Sequence, residues 1–167
     1  MNWERKRIMM AITKTNAMRI LDAEKIPYSV HTYENKDGKI DGISVAGKIG
    51  KEIEVVYKTL VVKDAGSGIY VFVIPVEAEL DLKKAAKVVN AKKLEMIAMK
   101  DIQKTTGYIR GGCSPIGMKK KYETILDVSV NKQSSIIVSG GKIGVQIEMA
   151  AEYLIQVTDA KVEEVIY

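Results

Sequence analysis

A chain of 167 residues, 47% hydrophobic and 28% charged, is too apolar to be read as disordered and long enough for one domain that buries roughly two-thirds of its unfolded surface. Its single cysteine, Cys113, excludes an internal disulfide and a cysteine-based metal cluster. The net charge of +5 is unevenly spread: 11 basic and 2 acidic residues lie between Lys83 and Lys121, against 12 and 12 before them and 3 and 7 after. That asymmetry fits an anionic partner, or equally a set of lysines that only solvate helix faces.

The opening MNWERKRIMMAITK pairs basic with apolar residues, but the run Ile8 to Ile12 is too short for a signal-peptide core, and no apolar run approaches a membrane span. A reducing cytoplasm, with no membrane partner, is the expected setting. Thr15 is placed to cap a helix running to about Lys25, with Ala17, Met18, Ile20, Leu21 and Ala23 as its apolar stripe and Pro27 beyond its end. The alternating Tyr28 to Tyr33 predicts a strand, ENKDGKIDG a turn, and Ser44 the N-cap of a short helix through Ile49 closed by Gly50. VVYKTLVVK and IYVFVIPV, joined by DAGSG, predict a hairpin whose continuous apolar character puts it mid-sheet with both faces covered. DLKKAAKVVN predicts a helix with Leu82, Ala85, Ala86 and Val89 inward. LEMIAM fits either strand or helix, and KDIQKTTG a helix ending at Gly107. Strands over 124–130, 135–138 and 145–148, a helix over 150–157 and a strand over 162–166 complete the chain.

Three features suggest chemistry. Lys58 sits on an apolar strand, where its ammonium either lines a cavity or snorkels to the surface along its stem. The loop GYIRGGCSPIG lets backbone amides approach a ligand, but it is not a Walker A loop. SGGKIG, residues 139–144, is a second glycine turn, with a hydroxyl and a lysine. Neither turn has the strand–GxGxxG–helix spacing of a dinucleotide site, and each alone reads more simply as a hairpin turn. Cys113 and the sole histidine, His31, read as structural rather than as a nucleophile and base. With one His and one Cys, no ordinary zinc site is expected, and neither a metal nor another cofactor.

Taken in order, TNAMRILDAEKIPYSVHTYE, VYKTLVV, LDLKKAAKVVNAKKLEM, TGYIRGGCSPIGMKKK and IIVSGGKIGVQIEMA resemble the YbaK/EbsC family of aminoacyl-tRNA deacylases. That family is related to the editing insertion of bacterial prolyl-tRNA synthetases. The resemblance spans residues 13–167 and leaves 1–12 as an N-terminal extension. It implies a single mixed α/β domain: a mostly antiparallel, curled sheet, partly an open barrel, flanked by helices. It also implies clearance of misacylated tRNA, most typically cysteine on tRNA for proline, with the aminoacyl-tRNA acceptor end and prolyl-tRNA synthetase as partners.

By the same resemblance, Lys58, Gly111, Gly112 and Ser139 carry catalysis, and Tyr33, Ser114, Pro115, Gly140, Gly141 and Gln146 bind substrate. Lys83, Lys84, Lys87, Lys119, Lys120 and Lys121 would face the tRNA phosphates, with the glycine loop beside them meeting the reacting ester. Where relatives in the cysteine-specific group read GLDIE, this chain reads GVQIE, so the amide of Gln146 replaces a carboxylate. Alternatives at this level are a non-catalytic tRNA- or nucleotide-binding module, and a deacylase selective for alanine or serine.

Overall fold

The computed structural model describes residues 13–167, so the N-terminal extension and its short apolar run lie outside the described residues. Helix α1 (Asn16–Ala23) starts where Thr15 accepts the Met18 N–H at 3.2 Å, and it buries Ala17, Met18 and Leu21. Strand β1 (Ser29–Thr32) follows. Helix α2 (Gly42–Ile49) begins earlier than expected. Asp41, not Ser44, is the N-cap, its carboxylate accepting the Ser44 N–H at 3.0 Å, and Gly50 closes the helix at φ 69°. A 3-10 turn (Ile53–Val55) leads into β2 (Tyr57–Lys63) and β3 (Ile69–Pro75), which form the expected hairpin in unbroken register from Tyr57–Pro75 to Lys63–Ile69.

Helix α3 (Leu82–Val88) is capped by Asp81, and Ala85 and Ala86 face inward. The ambiguous LEMIAM resolves into a two-residue edge strand, β4 (Glu95–Met96), beside β2, before a 3-10 turn (Met99–Asp101) and helix α4 (Ile102–Thr106). Strand β5 (Glu123–Asp127) is shorter than the expected 124–130. Asp127 accepts the Ser129 N–H at 3.0 Å and the Val165 N–H at 3.1 Å, which turns the chain into a 3-10 helix. Strands β6 (Ser135–Lys142) and β7 (Val145–Ala150) run longer than expected and meet through a bulge between Ser139 and Lys142. Helix α5 (Ala151–Thr158) and β8 (Lys161–Glu163) end the fold; of the expected strand over 162–166 only its first residues pair with β5, and Ile166 bridges to Leu80.

The strands form two sheets rather than one. The smaller is antiparallel, in the order β1-β7-β6; the larger has the order β4-β2-β3-β5-β8, antiparallel except where β5 pairs with β3 and with β8. A parallel bridge between Val56 and Ile137 joins them without closing a barrel. The β2–β3 hairpin is therefore central. Val73 and Tyr57 enter a core shared with α1, α5 and the smaller sheet, while Val62, Phe72 and Ile74 pack under α3. A third cluster, of Ala46, Val56, Val76 and Ile137, fills the seam between the sheets. Burying each of its valine and isoleucine side chains contributes about 1.5–3 kcal/mol, which ties the two sheets together.

Candidate active site

A cleft of about 190 Å³ opens at this seam. The start of β2 supplies Tyr57, Lys58 and Thr59, the β6–β7 hairpin supplies Ser139 and Gln146, and the loop after α4 supplies Gly111 and Cys113. Ile40, Gly42 and Val45 close it from the α2 side. Ser139 and Gln146 are register partners on adjacent strands, so their side chains share one face. Gln146 is 7% exposed, and the Ser139 hydroxyl accepts the Gly141 N–H at 3.2 Å.

The glycine loop is held from several sides. Gly107 ends α4 in the left-handed region, and Thr106 Oγ1 donates to the Ile102 carbonyl at 2.8 Å while accepting the Tyr108 N–H at 3.0 Å. Tyr108 Oη donates to the Ile116 carbonyl at 2.6 Å, and Asn16 of α1 to the Gly117 carbonyl at 2.8 Å. Gly111, at φ 84°, turns the chain toward the cleft. Gly112 lets the loop lie directly on the β6–β7 turn: a Cβ there would stand 2.9 Å from the Ile143 nitrogen and 3.0 Å from the Lys142 carbonyl carbon. Its own N–H is given to the Ile109 carbonyl at 3.0 Å, so Gly112 acts by close packing rather than as an amide donor to a ligand.

Burial pulls the Lys58 ammonium below the ordinary lysine range, and the charge of Glu79 offsets part of that. Cys113 is the reverse case: burial pushes its thiol up to about 11, with a contact from Thr106 working against the shift, so it stays protonated near neutral pH. Thr59 Oγ1 is buried without a hydrogen-bond partner. A buried, unpartnered hydroxyl on the wall of a cleft is what a polar ligand would satisfy. Sequence reading passes over Thr59 because threonine is a good strand former; its place beside Lys58 in an apolar run was the available signal.

The sequence matches the family model of the aminoacyl-tRNA editing domain over residues 43–157. The chain belongs to this family. It is 46% identical over 152 residues to an Enterococcus faecalis protein named "Putative Cys-tRNA(Pro)/Cys-tRNA(Cys) deacylase EbsC", covering 91% of this chain and 93% of that one, which places it in the YbaK/EbsC group. Two crystal structures share the fold. One, of "a putative trans-editing enzyme for prolyl tRNA synthetase", has a TM-score of 0.79 at 21% identity and covers 93% of this chain and 99% of its own. The other, of the hypothetical protein APE2540, has a TM-score of 0.84 at 19% identity and covers 92% of this chain and 100% of its own.

In this editing domain the candidates divide. Lys58, Gly111, Ser139 and Gln146 converge on the cleft. Tyr33 is buried, its Oη without a partner and its ring 5.9 Å below the Lys48 ammonium, but it does not line the cleft. Ser114 is fully buried and accepts the Ile116 N–H at 3.3 Å, bracing the loop. Pro115 lines a different hollow with Lys120 and Lys121. Gly140 packs on Val145, and Gly141, at φ 97°, lies against the Tyr108 ring and Thr15.

The lysines form two groups. Lys83 and Lys87 are exposed on α3, and Lys84 is engaged by Glu164 and the Ile166 carbonyl at 3.1 and 2.8 Å. Lys119 to Lys121 precede β5 at the far end of the sheet: Glu123 is opposite Tyr70 on β3, whereas Lys58 is opposite Ile74. Four residues along β3 span roughly 13 Å. Lys121 is also paired with Asp159. Among the described residues, no group of three or more His, Cys, Asp and Glu is arranged to hold a metal ion, and no helix is long and apolar enough to cross a membrane.

Proposed function

We propose that this chain is a trans-acting editing deacylase that frees tRNA from a wrongly attached amino acid, with cysteine on tRNA for proline as its preferred substrate. The observation that carries this reading is the convergence of Lys58, Thr59, Gly111, Ser139 and Gln146 on one cleft in a member of the editing-domain family. The named activity of the 46% identical relative supports the substrate class.

An aminoacyl ester is already activated, so the site needs to hold it and to stabilise charge on the carbonyl oxygen. The Gly111 amide and the Ser139 hydroxyl are the donors for that oxygen. Cys113 is unsuited to attack because its thiol is held neutral by burial. The substrate's own thiol takes that part: its sulfur bonds to the carbonyl carbon, the ester C–O bond breaks, and the thiol proton passes to the departing ribose oxygen. The resulting cyclic thioester is then opened by water. Lys58 binds the ribose or the terminal phosphate as a cation. Gln146 offers its carbonyl to the substrate ammonium without a full charge, a weaker hold than a carboxylate would give. Prolyl-tRNA synthetase, as a partner, would supply choice among tRNAs, and the exposed lysines a sequence-independent grip.

The test charges tRNA for proline separately with cysteine, alanine, serine, proline and S-methylcysteine. Release of cysteine well above the others, with S-methylcysteine retained, is expected. Equal release of S-methylcysteine would remove the thiol from the mechanism, faster release of alanine or serine would reassign the substrate, and turnover of none would leave a binding module.

A further inference from the structure

The cleft is uneven in charge. Of the side chains that line it, only that of Lys58 carries a charge, and it is positive. Tyr57 and Cys113 stay neutral near neutral pH, because burial raises both above their ordinary ranges. The carboxylates nearby are committed elsewhere. Asp41 caps α2 and accepts the Ser44 hydroxyl at 2.7 Å. Glu148, the one acidic residue of β7, accepts from His31 at 2.8 Å and from Ser135 at 2.8 Å, and pairs with Lys51 at 3.3 Å. Glu79 is exposed outside the lining, and its charge acts on Lys58.

Gln146 lies between His31 and Ser139 in the strand register, a neutral amide in a lining that also holds Ile40, Val45, Val56 and Val76. An ammonium entering here meets no anion, gives up water to aliphatic side chains and shares the cleft with a like charge. A nitrogen without charge avoids all three costs. Gln146 can accept its N–H, or donate its own NH2 to an acyl oxygen beside it. An acetyl methyl group also suits the valine and isoleucine side chains. We propose that the cleft also takes esters of cysteine whose nitrogen bears a short acyl group, formyl or acetyl, and releases tRNA from them at least as readily as from the free aminoacyl ester; this rests on the deacylase reading for the ester and its leaving group. The acylated nitrogen takes no part in bond making. Sulfur still bonds to the carbonyl carbon, the ester C–O bond breaks, the thiol proton passes to the ribose oxygen, and water opens the thioester. Acylation leaves that step intact and removes the charge that this cleft holds poorly.

The test compares tRNA for proline charged with cysteine and the same tRNA after acetylation of the α-amine, at about pH 6, where a free α-amino group is charged. With the parent chain, kcat/KM for the acetylated ester should equal or exceed that for the free one. Gln146→Asp adds a carboxylate to the cleft and should turn the ratio toward the free amine by about ten-fold, since a charge-assisted contact replaces a neutral one. A parent that releases the acetylated ester about ten-fold or more slowly, or a ratio that Gln146→Asp leaves unchanged, would overturn the proposal. Should neither ester be cleaved, the deacylase reading falls, and equilibrium binding of two amide-linked adenosine analogues, one with cysteine and one with N-acetylcysteine, decides the rest. The acetylated analogue held at least as tightly keeps the site for an uncharged nitrogen, and weaker binding by that factor removes it.

Discussion

Replacing Gly112 by alanine tests how the site is held open, because the cost can be worked from one contact. The atoms that an added Cβ would meet, at 2.9 to 3.1 Å, all belong to the backbone of Lys142 and Ile143. Backbone cannot rotate aside as a side-chain end can, so the loop must lift from the β6–β7 turn by a few tenths of an ångström. Gly112 does not have a positive φ, so the clash acts alone. Overpacking of this kind costs about 1–3 kcal/mol. For a chain of this size that lowers Tm by roughly 2–12 °C. The same shift moves Gly111 away from Ser139, so deacylation should fall more steeply than stability. Gly47→Ala is the matched control: the site lies on the exposed side of α2 with nothing within 4 Å, and it should stabilise by about 0.5–1 kcal/mol. Thermal unfolding and turnover would be measured on the same samples. If Gly112→Ala melts and turns over like the parent, the loop does not depend on this contact and the reasoning is refuted.

Lys58→Ala should lower turnover at least about ten- to hundred-fold, the worth of one charge-assisted hydrogen bond, with the melting curve little changed because a partly desolvated charge is removed; parent-like turnover would make Lys58 structural. Cys113→Ser should remain active, and since burial holds the thiol up at about 11, its alkylation by iodoacetamide should keep accelerating above pH 9, where an ordinary cysteine levels off; a plateau near pH 8.5, or a trapped acyl group on Cys113, would contradict this. Replacing Lys119 to Lys121 by alanine should flatten the log–log salt dependence of tRNA binding by about two units rather than three, since Lys121 is already paired with Asp159; an unchanged slope would mean these lysines only solvate the surface.

Much of this architecture is readable from local pattern. The β2–β3 hairpin, the Thr15 cap and the inward stripe of α3 follow from periodicity and side-chain chemistry that act within a few residues. What pattern misses is decided at a distance. Asp41 and Ser44 are both good caps; the fold uses Asp41, whose carboxylate accepts the Ser44 N–H, and the next residue, Gly42, lies so close to Val76 of another segment that an added Cβ would stand 2.2 Å away. Strand β5 stops because Asp127 finds the Val165 N–H, 38 residues along the chain. In the site, Lys58 and Ser139 stand out as polar residues in apolar strands, whereas Thr59 does not, since its hydroxyl gains meaning only once the strands are assembled. Ser114 and Pro115 share a motif with Gly111, but the loop turns between them and points them elsewhere.

The seam that carries the cleft also sets when the protein can work. Its walls come from residues as far apart as Ile40 and Gln146, and neither sheet alone encloses it. Contacts of such long sequence separation form late, after the entropy of closing the intervening loops has been met. On the ribosome, a nascent chain would hold β2, β3 and α3 long before β6 and β7 emerge, and through that interval it would have a sheet but no cleft. A proofreader of translation built this way cannot act on tRNA until its own β7 has left the ribosome.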